Sequence, residues 1–400
     1  MPHVENPDPP ETWPAARRAA AAIAAPIQRI LAIEAASGVV LLVATAIALI
    51  WANVWSDSYA DVWHTAIGGG VGSWSYERPV QFWVNDGLMT VFFFVVGLEI
   101  RREIFEGELA TIKKAALPLA AAVGGMLVPA AVFAMLNAGR AGVGGWAIPM
   151  ATDIAFAVGV LTLLGSRVPS ALRVLLLALA VIDDIGAIIV IALFYSAGLS
   201  LQGLVVIGVG IAALLAVRAA GGRAALLYVV PGTVVWAGFL MTGIHPTIAG
   251  VVLGLLTPVS RVDRLIHWLH PWVAFVVMPM FALANAGVVF GGARFNGDYL
   301  WLFAGVVCGL ALGKPVGIAA ASLSASRTRI ATRSSEVTRQ GVVLVGLVGG
   351  IGFTMSLFIA QLAFPSGPLL DTAKLAILVG SGVASLVGLT FGFLIRRRRQ

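Results

Sequence analysis

The sequence predicts an all-α polytopic membrane protein of about 12 transmembrane helices, with an inverted repeat in which helices 3–5 and helices 10–12 each carry a broken helix, 4 and 11, in the middle. Three observations predict it. Hydrophobic residues make up 59% and charged residues 11% of the 400 positions, too apolar a balance for a soluble chain of this length to cover with polar surface. Apolar runs of about 20 residues, enough to cross a roughly 30 Å hydrocarbon layer, recur from Ile30 to near the C-terminus. Two of these runs are interrupted midway by Pro or Gly. The runs are too long and too uniformly apolar for barrel strands, and backbone groups in lipid must be satisfied within their own segment, so helices are expected throughout.

Taken in order, residues 1–29 hold Arg17, Arg18 and Arg29 and no apolar run of signal-peptide length, and are expected to form a cytoplasmic tail before an uncleaved first helix. Spans are expected at 30–52, 80–100, 115–137, 143–164, 171–197, 202–218, 224–241, 243–258, 268–290, 299–323, 340–363 and 372–395. Residues 30–395 then form one membrane domain, and 396–400 a basic cytoplasmic C-terminus. The external loop 66–79, with Gly68-Gly69-Gly70 and the alternating Trp74 and Tyr76, suits a small β-hairpin, a plain interfacial loop being the alternative.

The fourth span contains Trp146-Ala147-Ile148-Pro149-Met150-Ala151-Thr152-Asp153, and the eleventh Gly346-Leu347-Val348-Gly349-Gly350-Ile351-Gly352-Phe353-Thr354. Pro149 removes a helix donor and clashes with the preceding turn, while glycine permits extended backbone at little steric cost, so each span is expected to unwind midway. Either break alone reads equally as a kink or a packing face. Two breaks in matching positions of two three-helix groups, seven spans apart and so opposite in direction, point to an inverted repeat.

The formal charge of +7 raises a nucleic-acid partner, but the placement of the basic residues has a topological cause. Of 26 Lys and Arg, 21 lie on the tail, the C-terminus, or in and beside the loops after spans 2, 4, 6, 8 and 10. Only Arg78, Arg140 and Arg294 lie on the opposite side, with Lys314 and Lys374 inside spans. Both termini are therefore expected to be cytoplasmic, and no nucleic-acid partner is expected. The single Cys308 excludes an intramolecular disulfide and is silent on redox compartment.

Asp86, Glu99, Asp153, Asp183, Asp184 and Lys314 fall within or at the edge of spans, where a charge costs at least about 2.5 kcal/mol near the bilayer centre and so needs a partner or a function. Asp183 and Asp184 are adjacent in an otherwise apolar helix, where consecutive side chains point about 100° apart and can serve different neighbours. Close like charges and loss of water both favour the protonated form of a carboxylate, whereas a nearby ammonium, for which Lys314 is the candidate, favours the ionised form. A static ion pair of one aspartate with Lys314 is the bland alternative, and it leaves the second aspartate unexplained. Asp183, Asp184, Thr152 and backbone carbonyls freed at the fourth-span break offer the oxygen ligands that suit sodium or lithium. No His or Cys accompanies the two aspartates in these spans, which disfavours zinc or copper. Asp153 follows the break, where an anion offsets the partial positive charge of half-helix N-termini, and Lys314 is placed to balance the opposing C-termini.

These residues resemble the NhaA family of sodium/proton antiporters. The likeness runs through Ala151-Thr152-Asp153-Ile154-Ala155-Phe156-Ala157, Ile182-Asp183-Asp184-Ile185-Gly186-Ala187 and Gly313-Lys314-Pro315. It extends to Val96-Gly97-Leu98-Glu99, Leu269-His270-Pro271-Trp272, Ala284-Asn285-Ala286-Gly287 and Gly350-Ile351-Gly352-Phe353-Thr354-Met355-Ser356, and so covers about residues 30–395. The resemblance implies a bacterial inner-membrane antiporter that expels sodium or lithium for protons, needs no cofactor, crosses its broken helices 4 and 11, and often forms a homodimer through an external hairpin. It implies that Asp184 and Asp183 take cation and protons, that Thr152 lines the site, and that Asp153 and Lys314 compensate helix termini, with Lys314 pairing with Asp183. Glu99, Arg102, Glu103, His267 and His270 match positions tied to pH sensing in the family, against an ordinary role as solvated or interfacial loop residues. Where the family pattern has a glutamate before the first of these histidines, this chain has Ile266, so the family's pH range is not carried over. His245, before Pro246, receives no role.

Three other classes fit these residues less well. A carrier for a larger organic anion calls for binding residues matched to that solute rather than two adjacent carboxylates. An intramembrane aspartyl protease needs aspartates on separate helices facing one water, which leaves only Asp153 with Asp183. A passive cation channel has no need of a titrating lysine beside the acidic site.

Overall fold

The computed structural model describes residues 36–71, 74–196, 198–222, 226–328, 331 and 336–395, so the expected tail 1–29 and basic C-terminus 396–400 lie outside the described residues. In chain order the elements are α1 (Ala36–Val54), α2 (Ser56–His64), β1 (Ala66–Val71), β2 (Trp74–Pro79), α3 (Val80–Phe105), α4 (Ile112–Asn137), α5 (Ile154–Leu163), α6 (Ser170–Phe194), α7 (Leu201–Ala219), α8 (Leu226–Thr242), α9 (Ile248–Leu256), α10 (Val259–Asn285), α11 (Asp298–Arg327), α12 (Arg339–Gly349), α13 (Phe353–Ala363) and α14 (Pro368–Leu394). Among the described residues, eight helices are long and apolar enough to cross a membrane, and two bent pairs raise the number to ten. The chain is an all-α, multi-pass membrane protein.

The bent pairs are the two interrupted spans. Ala141–Met150 meets α5 at 50°, and α12 meets α13 at 47°. The first half of the fourth span is built of two 3-10 turns, Ala141–Gly145 and Ile148–Met150, and in the second of them Pro149 withdraws a backbone donor that an α-turn would need.

The seventh and eighth expected spans are shorter than the rest. The eighth, expected over 243–258, holds only the nine residues of α9, about 14 Å of helix at 1.5 Å per residue. Gly243 at φ 84° ends α8, His245 and Pro246 occupy the turn, and Pro258 caps the next helix, leaving no more residues to wind. The ninth span, expected from 268, begins at Val259 instead. Val262 and Ile266 are buried one turn apart while Asp263, Arg264 and His267 are exposed, so residues expected in a loop form an amphipathic first stretch of α10.

The loop expected to be external forms a hairpin: β1 and β2 pair antiparallel from Ala66 with Pro79 to Val71 with Trp74. Helix α2 ahead of it was not expected from the sequence.

Burial separates centre from edge. In α6, 67% of its most apolar window is enclosed by protein, against 22% in α7, so α6 is a core helix and α7 faces lipid. Helices pack as two groups. One gathers α4, α6, α11, α12, α13 and α14, and the other joins α3 to α9 and α10, and α7 to α8. Small residues permit the closest approaches: Gly124 of α4 lies against Gly317 of α11, and Gly97 of α3 against Val251 and Gly254 of α9.

Candidate functional site

The two breaks meet inside the first helix group. Ala151, Thr152 and Asp153 link the halves of the fourth span outside either helix, and the Asp153 N–H donates to Ile351 O at 2.8 Å across the crossing. Asp153 is the N-cap of α5, where its Oδ1 accepts from Phe156 N at 3.0 Å. Its Oδ2 accepts from Thr354 N at 3.1 Å and from the Thr354 hydroxyl, at the start of α13. One carboxylate thus caps two half-helices whose positive ends converge.

Lys314 lies opposite in function. It is 0% exposed and follows a π-helical segment of α11, Gly309–Gly313, where Pro315 lacks the N–H that would close a regular turn. Its Nζ donates to Met150 O, at the end of the 3-10 half of the fourth span, and stands 2.6 Å from Asp183 Oδ2. An ammonium at that carbonyl balances the negative end of the half-helix.

Asp183 Oδ2 also accepts from Thr152 Oγ1 at 2.7 Å, and the same hydroxyl lies 3.0 Å from Gly349 O at the end of α12. The other oxygen, Oδ1, is buried without a partner among the described residues. Asp184, 2% exposed on the next position of α6, makes no hydrogen bond or ion pair among the described residues. Asp183, Glu99 and Asp153 repel its charge and Lys314 attracts it. Three carboxylates and one ammonium around an unpaired fourth make a field that favours a small cation. The ligands on offer are carboxylate, hydroxyl and carbonyl oxygens, those a hard cation takes.

Thr152, Asp153, Asp183, Asp184 and Lys314, drawn from three segments, are therefore brought together. The residues matched to pH sensing lie toward the end of α3 and the stretch of α10 that packs on it, and of these Glu99 also reaches Asp184 electrostatically. Arg102 is within electrostatic reach of Glu99 and of His270, whereas His267 is exposed. Ile266 is 5% exposed and packs with Leu98 and Val262, so an apolar contact fills the position that holds a glutamate in the family pattern.

Several polar residues of the crossing received no role from the sequence. Thr354 joins Asp153, Ser356 Oγ donates to Ile148 O at 2.7 Å, and Ser381 Oγ accepts from Phe353 N at 3.1 Å. The first two follow the Gly350-Ile351-Gly352 break directly, a signal that was available. Ser381 carries no local mark. His245 has a partner after all: its Nε2 stands 3.2 Å from Asp86 Oδ1, and its Nδ1 lies 2.8 Å from Thr247 Oγ1.

A family model described as Na+/H+ antiporter 1 matches residues 28–391. The chain is similar to the Na(+)/H(+) antiporter NhaA 2 of Sorangium cellulosum, at 49% identity over 97% of this chain and 94% of that protein. It is likewise similar to the NhaA 2 of Myxococcus xanthus, at 48% identity over 96% and 92%, and to the NhaA of a Janthinobacterium species, at 46% over 99% and 98%.

Proposed function

Because the chain belongs to the Na+/H+ antiporter 1 family, we propose that sodium and protons compete for one buried carboxylate pair, Asp183 and Asp184, and that this competition is the exchange reaction. The protein is a multi-pass membrane transporter that exchanges sodium for protons, and not an enzyme. One observation carries the assignment of the site: Asp184 is a buried carboxylate with no hydrogen-bonding partner among the described residues, directly after an Asp183 that already has Thr152 and Lys314. An ionised carboxylate left so in a membrane interior is costly unless a cation or a proton joins it.

Asp184 is the main sodium ligand, with Asp183, Thr152 and the carbonyls near the breaks completing the shell. Protons from the acidic side neutralise the pair and the site reorients. Sodium on the other side then displaces the protons, because it binds only the charged carboxylates. Sodium at Asp183 must also loosen the Lys314 ion pair. Asp183 or Lys314 therefore carries a second proton, the cycle moves net charge, and the membrane potential contributes about 2.3 kcal/mol per charge per 100 mV. Asp153 and Lys314 hold the crossed termini.

Lithium, close to sodium in ligand preference, is a second substrate. The one-sided Lys and Arg distribution supports cytoplasmic termini in a bacterial inner membrane. The open edges of the β1–β2 hairpin support pairing with a second copy. The cluster of Glu99, Arg102, Glu103 and His270 at the cytoplasmic end of α3 supports pH regulation, His267 lying on the exposed side.

The test is sodium-induced proton movement in everted vesicles. Adding sodium or lithium is expected to dissipate an imposed acidic interior, and absence of any proton response across a wide pH range would sink the proposal.

A further inference from the structure

On the hairpin side of the carboxylate site, α13 meets the other helix group through two residues three apart. Phe358, fully buried, sits among rings of that group, with centroids 5.4 Å from Phe93 of α3, 6.2 Å from Phe281 of α10 and 5.2 Å from His245 ahead of α9. One turn farther out, Gln361 enters a ring of carboxamides. Asn85 Nδ2 donates to Gln361 Oε1 at 2.6 Å, Gln361 Nε2 donates to Asn285 Oδ1, and Asn285 Nδ2 donates to Asn85 Oδ1 at 2.7 Å. Gln81 Nε2 adds a bond to Asn285 Oδ1 at 3.0 Å, and Asn285 Nδ2 also reaches Phe281 O at 2.8 Å.

We propose that the Asn85, Asn285 and Gln361 carboxamides form an outer latch, closed in this structure, that must break for the carboxylate site to face the outside. This rests on the alternating exposure of the site argued above. Gln81, Asn85 and Asn285 belong to the group of α3 and α10, whereas Gln361 alone comes from the group that holds the site. The latch therefore has a single pin. Gln361 is eight residues beyond Phe353, so it stands about 12 Å along the helix from the break, between the site and the outer surface.

The chemistry suits a joint that opens rather than one that only holds. Apolar contacts across a seam slip with little directional cost, but hydrogen bonds among three carboxamides fix one register and are lost together. When the seam opens, neutral amides are satisfied by entering water, so the open state carries no stranded charge. A ring without net charge also neither traps the passing cation nor titrates with it. Asn85 lies in a π-helical segment, Trp83–Leu88, whose wider turn resets which side chain faces the seam. The segment is itself fixed, since Trp236 Nε1 donates to Asp86 O at 3.1 Å and Asp86 pairs with His245.

The test uses the full chain in proteoliposomes with its one cysteine replaced, Cys308→Ser. In Asn85→Cys/Gln361→Cys, a reducible bis-thiosulfonate bridge between the two thiols holds the seam covalently and is expected to lower sodium/proton exchange by at least roughly tenfold, about 1.4 kcal/mol, with recovery on reduction. Exchange that continues unchanged while bridged overturns the latch and leaves antiport intact. A second measurement does not depend on transport. In Asn85→Cys, labelling by a membrane-impermeant maleimide added outside is expected to quicken several-fold when Gln361→Leu is introduced, and an unchanged rate overturns the latch even where the double variant is inactive.

Discussion

Asp184→Asn is expected to abolish sodium-driven proton movement, lowering the rate by roughly 100-fold or more, equivalent to about 2.8 kcal/mol. The substitution keeps the size and shape of a side chain that is 2% exposed and bonded to no neighbour among the described residues, so no structural contact is lost. What disappears is the negative charge that draws sodium and the site that takes a proton. Since Asp183, Glu99 and Asp153 repel the Asp184 charge, the neutral amide should leave the folded protein at least as heat-stable as the parent. Retained stability with lost exchange identifies a transport residue. Lost exchange with a collapsed protein would assign Asp184 to structure instead. The rates are read from the everted-vesicle response, and stability from thermal denaturation in detergent.

Lys314→Ala is expected to do the opposite in stability. Lys314 is 0% exposed and its ammonium serves two groups, Asp183 Oδ2 at 2.6 Å and the Met150 carbonyl. Removing one partner of a buried ion pair costs about 3–5 kcal/mol, because it leaves an uncompensated charge behind. The purified variant should denature well below the parent, and Asp183→Asn added to it should restore part of the loss. Any exchange that survives should respond less to an imposed membrane potential, since one candidate carrier of the second proton is gone. A variant as stable and as voltage-sensitive as the parent would remove Lys314 from both roles.

The sequence was most legible where chemistry and location conflict. Charges in apolar spans stand out at once, and Asp153, Asp183, Asp184 and Lys314 converge in space with Thr152 beside them. The breaks were equally plain, because Pro149 and the run of glycines around Gly350 have a direct backbone consequence. The pairing of Lys314 with Asp183 rather than Asp184 is implied by the family resemblance and by no local pattern. It depends on which face of α6 meets Lys314, and so on the packing of α11 against α4 and α6. The Asn85, Asn285 and Gln361 ring was hidden for the same reason, its members being separated by 200 and 76 residues. Single amides in spans read as ordinary polar residues until the fold puts them together. The short α9 and the early start of α10 escaped because hydropathy averages over a window. There the decisive residues are Gly243, Pro246 and Pro258, which act one at a time.

The central claim is that sodium and protons compete for one carboxylate pair, and the most direct measurement is the apparent KM for sodium with equal pH on both sides of a proteoliposome. Sodium binds the ionised pair, so protons must leave first and acid must weaken sodium binding. The account predicts a KM that rises by about tenfold for each unit the pH falls if one proton competes, and more steeply if two do. A KM for sodium that stays constant across the pH range of exchange would contradict it.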